Sequence, residues 1–491
     1  MESLIMFADW FKKSGIIQLL IISALLFSGC TESRSVKQAE EVALITKALE
    51  DSTSVYYASF NSYPKDLKSL PIGMFDSGTG GLTVLEQFLA MDSFNNKTGE
   101  ESPDGVPDFD GEEFIYLADQ ANMPYGVYSS QNKTDYLREL IIKDALFLTT
   151  GSKRTKVVVI ACNTATAFGL EDVSRMLQQS STGVNVIGVI DAGVEGAMSK
   201  ISPNQESFAV GVLATVGTIA SGGYEKSIIR YSKQRGYTAD IRVVNQGGAG
   251  FAEAVDSEAD YISKNAKEVR DNYRGPRFRD SLGIDQKLLS LYNFDTTGNS
   301  LLIKRDKNGE IEDIQLNSSG NYARFHMVSL LEKHRVNNPG VVMKSIILGC
   351  THYPYLEDTL REVIAELREY SQGDVKPYES IIDAGIDFID PAVNTAKETF
   401  KLLYAQNLLR KESNGNRVNA YISVPHKDVP KEAKDSSGNL IFNFKYGRDT
   451  GSEIPTVTIT PFSKANINGD NITRIEQRLP LSYSLIKNNM E

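Results

Sequence analysis

Val157-Val158-Val159-Ile160-Ala161-Cys162-Asn163-Thr164-Ala165 has a partner later in the chain, Ser345-Ile346-Ile347-Leu348-Gly349-Cys350-Thr351-His352-Tyr353-Pro354. Each is an apolar run, rich in β-branched residues, that stops at a cysteine followed by hydroxyl or amide side chains. Such a run reads as a buried strand, and the cysteine as the start of the loop beyond its carboxyl end. From residue 71 onward strand–loop–helix units alternate, the pattern of an α/β protein. Two further signatures recur in the same order. Ile72-Gly73-Met74-Phe75-Asp76-Ser77-Gly78-Thr79-Gly80-Gly81 is matched by Val210-Gly211-Val212-Leu213-Ala214-Thr215-Val216-Gly217-Thr218. Val189-Ile190-Asp191-Ala192-Gly193 is matched by Ile381-Ile382-Asp383-Ala384-Gly385. The expected fold is α/β, with two pseudo-symmetric domains whose mainly parallel sheets face a shared cleft. Ligands in open α/β sheets bind outside the carboxyl ends of the strands, so both cysteines would reach that cleft.

Outward from these strands the chain divides into expected segments. Residues 1–29 read as an export signal and 30–70 as a polar tether with one short amphipathic helix. Residues 71–192 form a first domain with an acidic insertion at 92–113. Residues 193–384 form a second, with an insertion near 257–335. Residues 385–415 return to pack on the first domain, and 416–491 are a C-terminal extension in which no chemistry is read. The first insertion carries Asp104, Asp108, Asp110 and Glu112. Their spacing misses the calcium-loop pattern, so it reads as solvated. In the second, Leu301-Leu302-Ile303-Lys304 and Ile311-Glu312-Asp313-Ile314 flank Asp306-Lys307-Asn308-Gly309, a β-hairpin pattern.

The 491 residues carry a net charge of −11, which disfavours a nucleic-acid partner because a phosphate backbone rewards basic faces. Three cysteines offer no disulfide framework. Cys30 follows Lys12, Lys13, an apolar run over 16–27, Ser28 and Gly29. That run suits a signal h-region better than a membrane span. It resembles the bacterial lipoprotein signal, which implies lipidation at Cys30, a lipid anchor to the membrane and residence in the cell envelope. The alternatives are an uncleaved anchor helix, or a misassigned start and a cytoplasmic protein.

A lone free cysteine is commonly a small buried hydrophobe. Two at duplicated strand ends point instead to a paired acid/base site, and His352 stands where it can tune Cys350. Gly78-Thr79-Gly80-Gly81 lacks the P-loop ending and the dinucleotide spacing, and reads as an anion-binding helix start suited to a carboxylate. A zinc site built on Cys162, Cys350 and His352 would lack any close Cys-x-x-Cys or His-x-x-x-His pair. Neither metal nor cofactor is expected.

Phe75-Asp76-Ser77-Gly78, Pro124-Tyr125-Gly126, Ala161-Cys162-Asn163-Thr164-Ala165, Leu213-Ala214-Thr215-Val216-Gly217-Thr218 and Leu348-Gly349-Cys350-Thr351-His352-Tyr353-Pro354 together resemble the glutamate racemases of the aspartate/glutamate racemase superfamily. The resemblance runs in order over residues 71–387. It implies a cofactor-independent racemase in which one cysteine thiolate removes the α-proton and the other, as a thiol, returns a proton to the opposite face. It further implies that Asp76 assists Cys162 and His352 assists Cys350, with Cys162 serving the D-enantiomer and Cys350 the L-enantiomer. Ser77, Pro124, Tyr125, Gly126, Asn163, Thr164 and Thr351 would hold the amino-acid substrate, with Thr215 and Thr218 as further candidates. For the hydroxyl residues, loop capping is the plain alternative. A homodimer is left open.

The chain departs from the family pattern where Gln120 and Asn122 stand in the Gly-Asp-Thr-x-Arg-x-Pro-Tyr-Gly stretch, although Asp119 is kept. Residues 247–250 lack the usual Ala-Cys-Pro. The family's acidic residue in the second half is best matched by Asp256, with Glu253 as the other candidate. Readings from other classes are a racemase for aspartate or another amino acid, and a catalytically silent envelope binding protein. The Cys30 reading is checked by fractionating cells: Cys30→Ser should move the protein from membranes to the soluble fraction, and an unchanged membrane fraction would reject it.

Overall fold

The computed structural model describes residues 42–491 except positions 282, 411–414, 468, 488, 489 and 491. The signal at 1–29, the lipidation site Cys30 and the first part of the tether lie outside the described residues.

The first half builds β1 (Ile72–Asp76), β2 (Glu113–Ala118), β3 (Val157–Ile160) and β4 (Asn185–Gly188). β1 lies between β2 and β3, β4 pairs with β3, and every pairing is parallel. The second half builds β5 (Phe208–Ala214), β6 (Ile241–Gly247), an antiparallel hairpin of β7 (Leu301–Arg305) and β8 (Ile311–Leu316), then β9 (Val342–Gly349) and β10 (Ile382–Ile389). Here the order is β10-β9-β5-β6, again parallel. The two sheets thus share one topology, with β5, β6, β9 and β10 repeating β1, β2, β3 and β4. All residues of β1, β3 and β5 are buried, as expected when helices cover both faces of a parallel sheet. That burial is why these strands read as unbroken apolar runs.

The C-terminal extension enlarges the first sheet. β11 (Arg417–Pro425) adds in parallel beside β2, and β12 (Val457–Pro461) pairs antiparallel with β11. No helix among the described residues is long and apolar enough to cross a membrane.

Four sequence expectations need correction. The third duplicated signature is not a structural repeat: Val189–Met198 is a helix, whereas Ile382–Ile389 is β10. Val189, Ile190, Gly193, Val194 and Ala197 are buried at helical spacing. The structural counterpart of that helix start is Asp390, whose side chain caps the helix Pro391–Ala405. The second domain's sheet therefore runs past residue 384 to Ile389.

The second insertion is shorter than 257–335, because Ser319–Asn337 is a buried crossover helix leading into β9. Its Asn, Arg and His residues mask the apolar stripe. Residues 42–70 are not a free tether. Leu44, Ile45 and Ala48 of the helix Ala43–Glu50 are buried, Phe60 and Leu67 join the same core, and the Tyr63 hydroxyl donates to Thr155 O at 2.8 Å. Nor is the 92–113 insertion merely solvated. Asp108 accepts the backbone N–H groups of Ser93 and Phe94, and Phe94 stacks on Phe400 at 4.5 Å between centroids.

Lys156, just before β3, is fully buried and pairs with Glu112 at 2.6 Å while donating to Leu408 O at 2.9 Å. This ties the starts of β2 and β3 to the segment leading into the extension. A buried cation stripped of its carboxylate retains its desolvation cost. Glu112→Gln should therefore lower unfolding stability by about 3–5 kcal/mol in chemical denaturation, and a loss below ~1 kcal/mol would contradict the role given to the pair.

Candidate active site

In a sheet ordered β2-β1-β3-β4, the chain reverses direction across the sheet between β1 and β3, opening a crevice at their carboxyl ends. Asp76 is the last residue of β1 and fully buried. Cys162 follows β3 and caps the helix Asn163–Gln179, its Sγ accepting from Ala165 N at 3.5 Å. Its thiol also meets Ser77 Oγ at 3.6 Å. The second sheet repeats the crevice between β5 and β9. Thr215 follows β5 and caps the helix Val216–Ser221, accepting from Thr218 N at 3.2 Å. Cys350 follows β9, with its Sγ 3.6 Å from His352 Nδ1.

The two crevices meet. Thr351 Oγ1 donates to Asp76 Oδ2 at 3.3 Å. Thr164 Oγ1 lies 2.8 Å from Thr215 Oγ1 and 3.1 Å from Thr218 Oγ1. Tyr224 donates its hydroxyl proton to Asn163 Oδ1. Gly80 packs tightly against the second half: a Cβ there would stand 2.6 Å from Thr351 Oγ1 and 2.7 Å from His352 Cε1. Asp76, Ser77, Pro124, Tyr125, Gly126, Cys162, Asn163, Thr164, Thr215, Cys350, Thr351 and His352 line one chamber of about 20 Å³, with Met123 and Ala252. That is room for about one water. Thr218 does not line it but backs Thr164. Asp256 stands behind His352, with Oδ2 3.3 Å from Nε2. Glu253, the other acidic candidate, is buried nearby but makes no such pair, and burial pushes its carboxyl up to about 7.

The two cysteines sit in opposite fields. Burial raises the Cys162 thiol, and the neighbouring Asp76 raises it further. Burial also raises the carboxyl of Asp76, against the opposing pull of His352. On the other side, burial works against a charged imidazole, but Asp256 together with Cys350 outweighs it and holds His352 well above its ordinary range. Burial likewise works against the Asp256 carboxylate, and His352 with Arg474 outweighs it, holding the carboxyl well below its usual range. Cys350 therefore faces an imidazolium, its Sγ 3.6 Å from Nδ1.

Tyr125 reaches the chamber differently from the sequence expectation. Its hydroxyl lies 2.6 Å from Asp119 Oδ2 and 2.7 Å from Asp144 Oδ2. One phenolic proton cannot serve two carboxylates. Burial and the Asp119 charge hold Asp144 well above its ordinary range, which suits it to carry the second proton that this contact needs. With the hydroxyl so committed, only the remainder of Tyr125 is free to meet a ligand.

The extension at 416–491, in which no chemistry was read, supplies side chains to the site's walls. Ser423 Oγ accepts Ala121 N at 3.0 Å. Lys445 donates to Met123 O, and the Tyr446 hydroxyl to Pro124 O at 3.2 Å. Arg448 donates to Asn122 Oδ1 at 2.7 Å and to the Tyr128 hydroxyl at 2.9 Å. A guanidinium thus reaches the loop position where the family pattern carries its own arginine and this chain has Asn122. Arg474 donates to Asp256 Oδ1 at 2.6 Å. No local motif marks these residues; the only sequence signal is the missing arginine at 122. Among the described residues no cluster of three or more His, Cys, Asp or Glu side chains is arranged to hold a metal ion.

No family model matches the chain. Curated relatives do. The glutamate racemase of Oceanobacillus iheyensis is 28% identical over 295 residues, 60% of this chain and 72% of that protein. That of Enterococcus faecalis is 35% identical over 198 residues, 40% of this chain and 58% of that protein, so less than two thirds of the latter is spanned. Among solved structures, a glutamate racemase isoform from Bacillus anthracis aligns with 20% identity and a TM-score of 0.44, over 72% of this chain and 88% of that one. By its sequence the chain is a relative of the glutamate racemases.

Proposed function

We propose that the protein interconverts L- and D-glutamate by a two-cysteine, cofactor-independent proton transfer. The observation that carries this reading is the pair of buried, free cysteines at the carboxyl ends of equivalent strands β3 and β9, lining one narrow chamber. The curated relatives support glutamate as the substrate.

In the forward step the α-C–H bond breaks toward one thiolate, which becomes a thiol. The S–H bond of the other cysteine breaks on the opposite face, and its proton forms the new C–H bond. Electrons balance without an acceptor. The thiol pKa of about 8.5 makes thiolate supply the first requirement, and exclusion of water the second. In this scheme Cys162, raised by burial and by Asp76, starts as the thiol, and Cys350, 3.6 Å from His352 Nδ1, starts as the base. By the resemblance, that state is ready for the L-enantiomer. After turnover the roles are exchanged, and the basic neighbour available to Cys162 is Asp76, whose raised carboxyl suits it to share a proton.

A chamber with room for about one water must open to admit an amino acid. Opening separates the β1–β3 edge from the β5–β9 edge, and closure then shields the reacting carbon. Ser77, Asn163, Thr164, Thr215 and Thr351 supply hydroxyl and amide groups for the substrate's carboxylates and ammonium. We further propose that the protein is held at the cell envelope through a lipid on Cys30, supported by Lys12, Lys13 and the apolar run over 16–27 before it.

Chiral chromatography of D-glutamate formed from L-glutamate checks the mechanism. Cys162→Ala and Cys350→Ala should each abolish racemisation with the fold intact. Full activity in either variant would sink the two-base scheme.

A further inference from the structure

We propose that Arg474, on the C-terminal helix Gly469–Arg478, is a positioning residue that holds Asp256 against His352 and so sets how readily Cys350 becomes a thiolate; this role rests on the two-cysteine reading above.

The groups form one unbroken line. Arg474 Nη2 meets Asp256 Oδ1 at 2.6 Å, Asp256 Oδ2 meets His352 Nε2 at 3.3 Å, and His352 Nδ1 meets Cys350 Sγ at 3.6 Å. The two oxygens of Asp256 are divided between the two cations. Asp256 and His352 side chains are 2% and 3% exposed and Arg474 15%, so solvent screens these contacts little. Without Arg474, Asp256 would lose its hydrogen-bonded cation and keep only the ion pair with His352.

The helix bearing Arg474 is itself fixed. The guanidinium lies over the Tyr355 ring, 4.8 Å from its centroid. In the helix Pro480–Ile486 that follows, Leu481 N and Ser482 N donate to the Glu86 carboxylate at 3.0 and 2.7 Å. Glu86 lies on the helix Leu82–Ala90, which begins beside the Gly80 loop. One segment of the extension therefore grips both the Asp256 side and the Asp76 side of the chamber.

Other titratable groups face this line. Glu253 and Glu258 are pushed up by burial, to about 7 and about 8. Asp76, Tyr353 and Tyr355 act on the same groups from the elements packed against them. Lys445, lowered by burial, lies closest in charge to Glu258 and gives its hydrogen bond to Met123 O. Arg474 is the cation that bonds Asp256 from outside the cysteine motifs. Removing it takes positive charge from the line and releases Asp256 from the contact that fixes it behind His352. Both changes make the Cys350 thiolate harder to form.

The test reads Cys350 directly and needs no substrate. In the full-length Cys30→Ser/Cys162→Ala background Cys350 is the one thiol left, since the chain has 3 cysteines. Its thiolate absorbance in the ultraviolet is followed against pH, with circular dichroism to establish folding. Arg474→Gln should move the Cys350 titration upward by about one pH unit, roughly a tenfold loss of thiolate at any pH below it. Arg474→Lys keeps the charge, loses the forked geometry, and should shift less. Arg478→Gln, on the same helix but paired with Asp358, should not shift it. A folded Arg474→Gln that titrates with its parent would overturn the proposal. If that variant does not fold, an unshifted Arg474→Lys overturns it instead. Racemisation by the protein with all cysteines in place is measured alongside, so that a failed racemase reading is told apart from a failed role for Arg474.

Discussion

Everything at the centre of this molecule depends on how closely the backbone at Gly80 lies against Thr351 and His352. Any side chain at that position would collide with both. The approach brings the loop after β1 in the first sheet within hydrogen-bond range of the loop after β9 in the second, and the Thr351–Asp76 bond crosses between them. It also lets the charge states of Asp76 and His352 influence each other through a dry interior. Two topologically equivalent crevices become one chamber.

The chamber is symmetric in backbone and asymmetric in charge. The β3 side presents Cys162 beside a buried carboxyl, which holds the proton on sulfur. The β9 side presents Cys350 beside a histidine backed by Asp256 and Arg474. Mirror-image substrates have equal free energy in water, so a racemase needs two competent faces rather than two identical ones. In the two-cysteine reaction proposed above, a pair whose fields differ begins the cycle with one base and one acid already assigned. The C-terminal extension reinforces this arrangement: its β11 widens the first sheet, Lys445 and Arg448 grip the loop at 119–128, and Arg474 completes the line to Cys350.

The fold and the chamber were legible where chemistry and backbone coincide in contiguous residues. Val157–Ile160 and the run before Cys350 read as buried strands because both faces of a parallel sheet are covered, and twelve of the chamber's residues fall within the five quoted motifs. Local pattern failed wherever long-range packing decides. The recurrence of Ile-Asp-Ala-Gly reads as a repeat, yet one copy lies in a helix and the other in a strand. The helix Ser319–Asn337 reads as part of an insertion because Asn321, Arg324, His326 and His334 sit among its buried residues. Arg448 and Arg474 were missed because an arginine in a polar tail gives no sign of what it will meet some two hundred or more residues away. Asp256 lies between these cases: register with the family pattern picked it out, but its partnership with His352 is visible only in three dimensions.

The most direct test of the account is proton NMR of the purified protein with L-glutamate in deuterated water under reducing conditions. The account predicts loss of the α-proton signal as solvent deuterium enters, ending with equal amounts of L- and D-glutamate. An α-proton that persists beside folded protein with both chamber thiols reduced would contradict it.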